Sequence, residues 1–277
     1  MLGKRIINTA TDAGAACTTD TVQILDGVPF QSIATYQFEN NANDLTGNYD
    51  GAFTNPSYAT GKFGNAAVFN GSSSYVNLNS SVISANSSFS ISHWVKFDNV
   101  ATTSGDRSIH IGNSDAASGI SIFVINSTLY LRIVDSNGNP QDITYSPSNN
   151  VWYNLVITYD NSTKQFKGYV DNVLINTLTI TGFTPLGNYG SIGSRIGSGG
   201  ASQFLDGSID QVRIYGKALS EDNVATLYAE TVATASTNPT FNAPSGVAYY
   251  KMNDATDETG SYDGTATNVN FNVAGKF

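Results

Sequence analysis

Between residues 31 and 230 the chain is a series of short runs of alternating apolar and polar residues, broken about every 8–12 residues by turn-forming residues. No other feature limits the fold as strongly. Successive side chains of a strand point to opposite faces, so each run builds a ribbon with one apolar face that must be covered. The clearest run is Phe89-Ser90-Ile91-Ser92-His93-Trp94-Val95-Lys96-Phe97, which puts Phe89, Ile91, His93, Val95 and Phe97 on one face. Further runs lie at 35–39, 67–69, 75–78, 152–159 and 208–215. Residues 120–125 and 129–134 form a hairpin around Asn126-Ser127, and Asn137-Gly138-Asn139-Pro140 reads as a turn. Residues 152–159, 166–170 and 173–179 form a meander with tight turns at Asp160-Asn161 and Asp171-Asn172. The pattern predicts an all-β antiparallel sandwich or jelly roll.

One short helix follows the last strand. Ser220 is its N-cap, Glu221 and Asp222 suit the positive end of the helix dipole, and Val224, Leu227 and Tyr228 share a face. Long helices are disfavoured elsewhere, because Gly, Asn, Ser and Thr abound while charged residues make up 13%. The net charge is −9, so there is no basic footprint for nucleic acid or anionic lipid. A single cysteine, Cys17, excludes an internal disulfide and a cysteine-based zinc site. It reads as an inert residue of the N-terminal segment.

Residues 1–30 are small, polar and weakly patterned, with Val22-Gln23-Ile24-Leu25 as the strand-like piece; they read as an arm that anchors the chain. Met1-Leu2-Gly3-Lys4-Arg5 begins like a signal peptide, but polar residues from Thr11 to Asp20 replace the apolar stretch. The expectation is synthesis in a cytoplasm without export by that route, and no run is long enough to span a bilayer. Residues 231–246 read as a linker. After it, the segment 36–51 (Tyr36-Gln37-Phe38-Glu39 through Tyr49-Asp50-Gly51) recurs at 250–264, and Gly61-Lys62-Phe63 recurs as Gly275-Lys276-Phe277. Such a repeat predicts tandem domains, with 31–230 as one sandwich and 247–277 as the first strands of another.

Several segments, in order, resemble the laminin-G-like (concanavalin A-like) jelly-roll domains. These are residues 36–44, Gly61-Lys62-Phe63-Gly64-Asn65-Ala66 with Phe69-Asn70-Gly71, residues 89–95, Trp152-Tyr153-Asn154-Leu155-Val156, and Leu205-Asp206-Gly207-Ser208-Ile209-Asp210-Gln211-Val212-Arg213-Ile214-Tyr215. The resemblance implies the fold but leaves glycan binding, protein binding, oligomerisation and glycoside hydrolysis open.

Three chemistries come into question for these residues. In related sandwiches the first and last strands lie side by side and a carboxylate from each can share a calcium ion, which here points to Glu39 or Asp44 with Asp210. The competing reading is that Asn and Asp side chains build the turn after residue 38. Retaining glycosidases need two close carboxylates, and the resemblance implies that a hydrolase of this kind would place them on one strand, whereas Glu39, Glu221, Glu230 and Glu258 fall in a turn, a helix and the tail. A catalytic site is therefore not expected. His93 reads as a core residue, and His110, beside Arg107 and Asp106, as a loop residue. Sugar binding uses exposed rings beside Asn, Asp and Gly loops; Tyr145, Tyr189, Arg195 and Phe204 are the candidates, with Phe183 a further one. Each ring could equally cover a sandwich edge. Trp94 and Trp152 read as core or sheet-face residues.

The low charge and the abundance of Asn, Ser, Thr and Gly look similar to bacteriophage fibre and decoration proteins. By that analogy the chain is a non-enzymatic virion protein. Its arm binds capsid or tail proteins, its sandwich contacts host glycans, and it forms homo-oligomers. The alternatives are a secreted bacterial adhesin and a glycoside hydrolase with an unrecognised site.

Overall fold

The computed structural model describes residues 31–84, 86–112, 119–183 and 189–231, together with the strands β1 (Ile6–Ile7) and β2 (Val22–Gln23). The chain divides into two units, Ser32–Pro239 and a second made of Met1–Gln31 with Thr240–Phe277. Of the second, the antiparallel pairing of β1 with β2 is described. The repeat expected at 247–277 lies outside the described residues.

The strands of the larger unit are β3 (Ala34–Tyr36), β4 (Ala52–Thr54), β5 (Tyr58–Thr60), β6 (Asn65–Asn70), β7 (Tyr75–Asn77), β8 (Phe89–Phe97), β9 (Asp106–Gly112) and β10 (Gly119–Ile125). They continue as β11 (Thr128–Val134), β12 (Pro140–Tyr145), β13 (Trp152–Asp160), β14 (Gln165–Val170), β15 (Val173–Thr179), β16 (Tyr189–Ile192), β17 (Arg195–Gly197), β18 (Gly200–Ser202) and β19 (Asp206–Tyr215), before helix α1 (Glu221–Tyr228). One sheet has the order β12-β11-β10-β9-β16-β7-β4. The other has the order β15-β14-β13-β8-β19-β6-β5, with β3 also paired to β19, and β17 pairs with β18 as a separate hairpin. The named neighbours run antiparallel, as expected of a jelly roll.

Alternation decides which residues fill the space between the sheets. Phe89, Ile91, Val95 and Phe97 of β8 and Leu155, Ile157 and Tyr159 of β13 meet Ile109, Ile111, Ile122, Leu131 and Ile143 from the opposite sheet. Each such burial contributes about 1.5–3 kcal/mol. Two turns follow the sequence expectation. Asn126 and Ser127 have φ of 49° and 61°, and Asp171 and Asn172 have 49° and 65°, the left-handed pair that matches the twist of a two-residue hairpin. The turn at Asp160 instead runs through 161–164 and ends on Lys164 at φ 60°.

His93 is fully buried in the core, as expected. Its Nε2 lies 3.0 Å from Ser108 Oγ, while Nδ1 has no partner. Burial pulls it down to about 3, so it stays neutral in the folded protein. His110 is a correction: it sits on β9, with Nδ1 3.0 Å from Ser121 Oγ.

The outer face of the eight-stranded sheet is sealed at its centre. Ser90 Oγ donates to Lys217 O and accepts from Leu219 N, fixing the chain that leads to α1. The helix has its capping box, with Ser220 Oγ accepting from Asn223 N and Asn223 Oδ1 accepting from Ser220 N. It buries Val224 and Leu227 and stacks Tyr228 on Trp94 at 5.8 Å. Phe63 meets the Trp94 ring edge-on, and Lys62 Nζ lies 4.2 Å from its centroid. Trp94 and Trp152 are therefore sheet-face residues of a covered face.

Candidate functional site

The outer face of the seven-stranded sheet carries the most concentrated chemistry among the described residues. On β10, Ile122 and Val124 point into the core, so Phe123 points out. Its cross-strand partner on β11 is Tyr130, and the two rings stack at 4.9 Å and 6°. On the other side Phe123 pairs with Arg107 of β9, next to a bulge that turns Ser108 inward toward His93. The Arg107 guanidinium lies 4.6 Å from the Phe123 centroid and that of Arg132 lies 5.0 Å from the same centroid. Arg132 faces Asp142 of β12 and is held in a bidentate pair, at 2.6 and 2.7 Å. That pair pushes the Arg132 guanidinium further up.

Beyond Arg107 the strand β16 has ended, and residues 203–204 take its place. Arg107 N donates to Gln203 O, Arg107 Nε donates to Gln203 Oε1, and Phe204 bridges Arg107 in parallel. Phe204 then meets Tyr75 of β7 at 6.2 Å. The result is a band across the sheet: Tyr75, Phe204, Arg107, Phe123, Tyr130 and Arg132. Its floor is low, with Arg107 4% and Phe123 6% exposed, while Tyr75, Phe204, Tyr130 and Arg132 are half-buried. Burial, with the Arg195 and Arg132 guanidiniums beside it, pulls Arg107 down to about 10. Arg195 opens the β17–β18 hairpin, so three guanidiniums are neighbours here.

The expected sugar-site residues divide accordingly. Arg195 and Phe204 belong to this cluster. Tyr189 is on β16, beside Gly112 of β9, with its face set by Ser191 and opposite to core residue Ile192. Tyr145 is a correction: it shares parity with Ile143, packs against the core and meets Tyr153 edge-on. Phe183 is likewise buried in the core, against Phe89 and Tyr159. The strand residues Arg107, Phe123, Tyr130, Arg132 and Asp142 were missed.

The calcium set is also corrected. Asp44 accepts from the backbone N–H of Thr35, Thr46, Asn48 and Tyr49 and from the Thr46 hydroxyl, so it builds the turn. Glu39 and Asp210 do approach one another at the Gly61–Asn65 segment. Asp210 Oδ2 accepts from Phe63 N at 2.9 Å, and Glu39 accepts from Asn65 N at 3.1 and 3.3 Å. Gly64, at φ 56°, lies so close that a Cβ would stand 2.1 Å from Glu39 Oε1. Asp210 Oδ1 is buried without a partner, and burial, with Glu39 adding to it, pushes the carboxyl up to about 7. Among the described residues no three metal-ligating side chains converge, so Glu39, Asp44 and Asp210 do not form one cluster.

A comparison with curated proteins gives no match. Among solved structures the chain is similar to domain 4 of AbnA, a GH43 extracellular arabinanase of Geobacillus stearothermophilus, solved in complex with arabinotriose. The identity is 26%, the coverage 73% of this chain and 100% of that domain, and the TM-score 0.59. It is also similar to the binding domain of Paraclostridial Mosquitocidal Protein 1 (19% identity, 72% of this chain and 52% of that one, TM-score 0.58). A third is the botulinum neurotoxin serotype D binding domain (20%, 72% and 51%, TM-score 0.55). The chain thus spans about half the length of the two toxin domains, and at these identities they share its fold. The profile of the laminin-G-like branch matches residues 70–225, the stretch that runs from the end of β6 into α1 and contains most of both sheets. The chain therefore belongs to the concanavalin A-like lectin/glucanases superfamily.

Proposed function

We propose that the larger unit is a non-catalytic glycan-binding domain whose site is the outer face of the seven-stranded sheet. The observation that carries this reading is the band of half-buried rings, Tyr75, Phe204 and Tyr130, set beside the fixed polar groups of Arg107, Arg132 and Asp142. Sugar rings offer C–H faces to such rings and hydroxyls to such groups. The likeness to an arabinanase domain solved with arabinotriose points the same way. Hydrolysis is disfavoured, because the one carboxylate placed on this band, Asp142, is spent on Arg132, and glycosidases need two free ones.

Glycan-array binding by the full chain, followed by calorimetry on the best binder, tests the reading. Tyr130→Ala should weaken binding about 10-fold or more and leave the melting temperature within a few degrees, since Tyr130 is on the rim. Binding that survives Tyr130→Ala, Phe204→Ala and Tyr75→Ala together would move the site elsewhere. We propose further that the chain is displayed on a phage particle, on the strength of its low charge and Asn-, Ser- and Thr-rich composition. Peptide mass mapping of purified particles that lack this polypeptide would remove that role.

A further inference from the structure

Three of the chain's five arginines, Arg107, Arg132 and Arg195, are neighbours on one sheet face of a protein whose net charge is −9. Like charges brought together in a partly dehydrated site repel, and the arrangement needs an opposing charge to be favourable. Asp142 supplies one, and it is committed to Arg132 through Nε and Nη2, which leaves Arg132 Nη1 for a ligand. Arg107 spends Nε on the neutral side chain of Gln203, and its Nη1 is buried with no partner. An unpaired buried guanidinium nitrogen is costly to a neutral site and useful to one that receives an anion. The Phe123 ring lies within 5.0 Å of both guanidinium carbons, so Arg107 and Arg132 pack on one ring of the same sheet face.

We propose that this face takes an acidic glycan, whose carboxylate or sulfate ester is gripped between Arg107 and Arg132 while its sugar ring lies against Tyr130. The inference rests on the glycan-binding reading and names its substrate class. A neutral sugar can offer hydroxyl oxygens to Arg107 but brings no charge to offset the neighbouring guanidiniums. Because the chain as a whole is negative, long-range attraction does not gather the ligand, and selectivity arises at contact range.

The test uses the full chain on matched glycans: oligouronates and sialosides, their methyl esters, sulfated oligosaccharides and the neutral parents. The acidic members should bind about 10-fold or more tightly than esters and parents, and comparison of uronates, sialosides and sulfated sugars tells carboxylate from sulfate. Arg107→Met should abolish the preference. Because Arg107 is buried and its loss also bears on folding, the pair R132Q with D142N, which removes a half-exposed ion pair as a unit, should lower binding of acidic members about 10-fold and that of neutral ones little. Equal binding of acids, esters and parents would overturn the acidic preference and leave the glycan-binding reading standing. Acid-selective binding that survives both variants would overturn the placement at Arg107 and Arg132. Absence of binding to every member would overturn both readings.

Discussion

Asp210→Asn should raise the melting temperature at pH 8 by about 5–10 °C and leave it nearly unchanged at pH 4. Asp210 is fully buried on the outer face of β19, and its carboxyl is pushed up to about 7, against an ordinary value near 4. Between those values the folded protein keeps a proton that the unfolded chain has released. The stability this provides is complete below pH 4 and is lost as the pH rises through 7. That displacement sets a ceiling of about 4 kcal/mol at pH 8. Asn can still accept from Phe63 N and carries no charge to bury. His93 works in the other direction: held down to about 3, it withdraws stability as the pH falls from about 6.5 toward 3. Wild-type stability should therefore be shaped by two opposing limbs, and in Asp210→Asn the acid limb should remain alone. Thermal melts across pH 4–8 decide it, and a variant no more stable than wild type at pH 8 removes the argument. A melting temperature that rises with added calcium in wild type but not in Asp210→Asn would mean that Glu39 and Asp210 share a cation after all.

Gly193→Ala should cost about 3 kcal/mol or more and disable the binding face together with the fold. Gly193 has φ 79°, a left-handed conformation that costs an alanine roughly 1 kcal/mol. The added methyl would stand 2.1 Å from two atoms of the Phe69 ring, which is buried and stacked on Phe53. The backbone cannot yield easily, because Gly193 N donates to Ser108 O and Gly193 O accepts from Leu205 N. Those two bonds join β9 to the segment carrying Gln203 and Phe204, so relief of the clash would move the site's rim away from Arg107. Chemical denaturation should show the loss, and glycan binding should weaken even where the variant is still folded. An alanine variant with unchanged stability would show that Phe69 has room to retreat.

The sandwich was legible because burial on one face stamps a two-residue period on β8, β10, β11, β13 and β19. β9 was not, because the bulge at Ser108 breaks its alternation and its outer face carries Arg107 and His110. β4, β5, β16, β17 and β18 are too short for a period to register. The site was half legible. Arg195 and Phe204 stood out in Gly-rich sequence, but the pairing of Arg107 with Phe123 and of Phe123 with Tyr130 is a matter of register between strands, which no local run encodes. Tyr145 shows the opposite error: its two-residue spacing from Ile143 already marked it as inward-facing. Asp44 chose the turn-building role because four residues around it, Thr35, Thr46, Asn48 and Tyr49, offer N–H groups at the right reach, and a short acidic loop reads the same either way.

The pairing of β3 with β19 has a mechanical consequence. Ala34 lies opposite Ile214 and Tyr36 opposite Val212, with Ile33 N donating to Ile214 O at 2.7 Å, so chain entry and exit sit at the same end of the sandwich. A pull applied through both would open that seam one bond at a time, as a zipper, instead of loading all its bonds together in shear. On the exit side the pull must first strip α1 from Trp94 and break the buried Arg213–Glu230 ion pair, 2.7 Å long. Tension applied at that end is thus taken first by the helix, which acts as the latch of the seam.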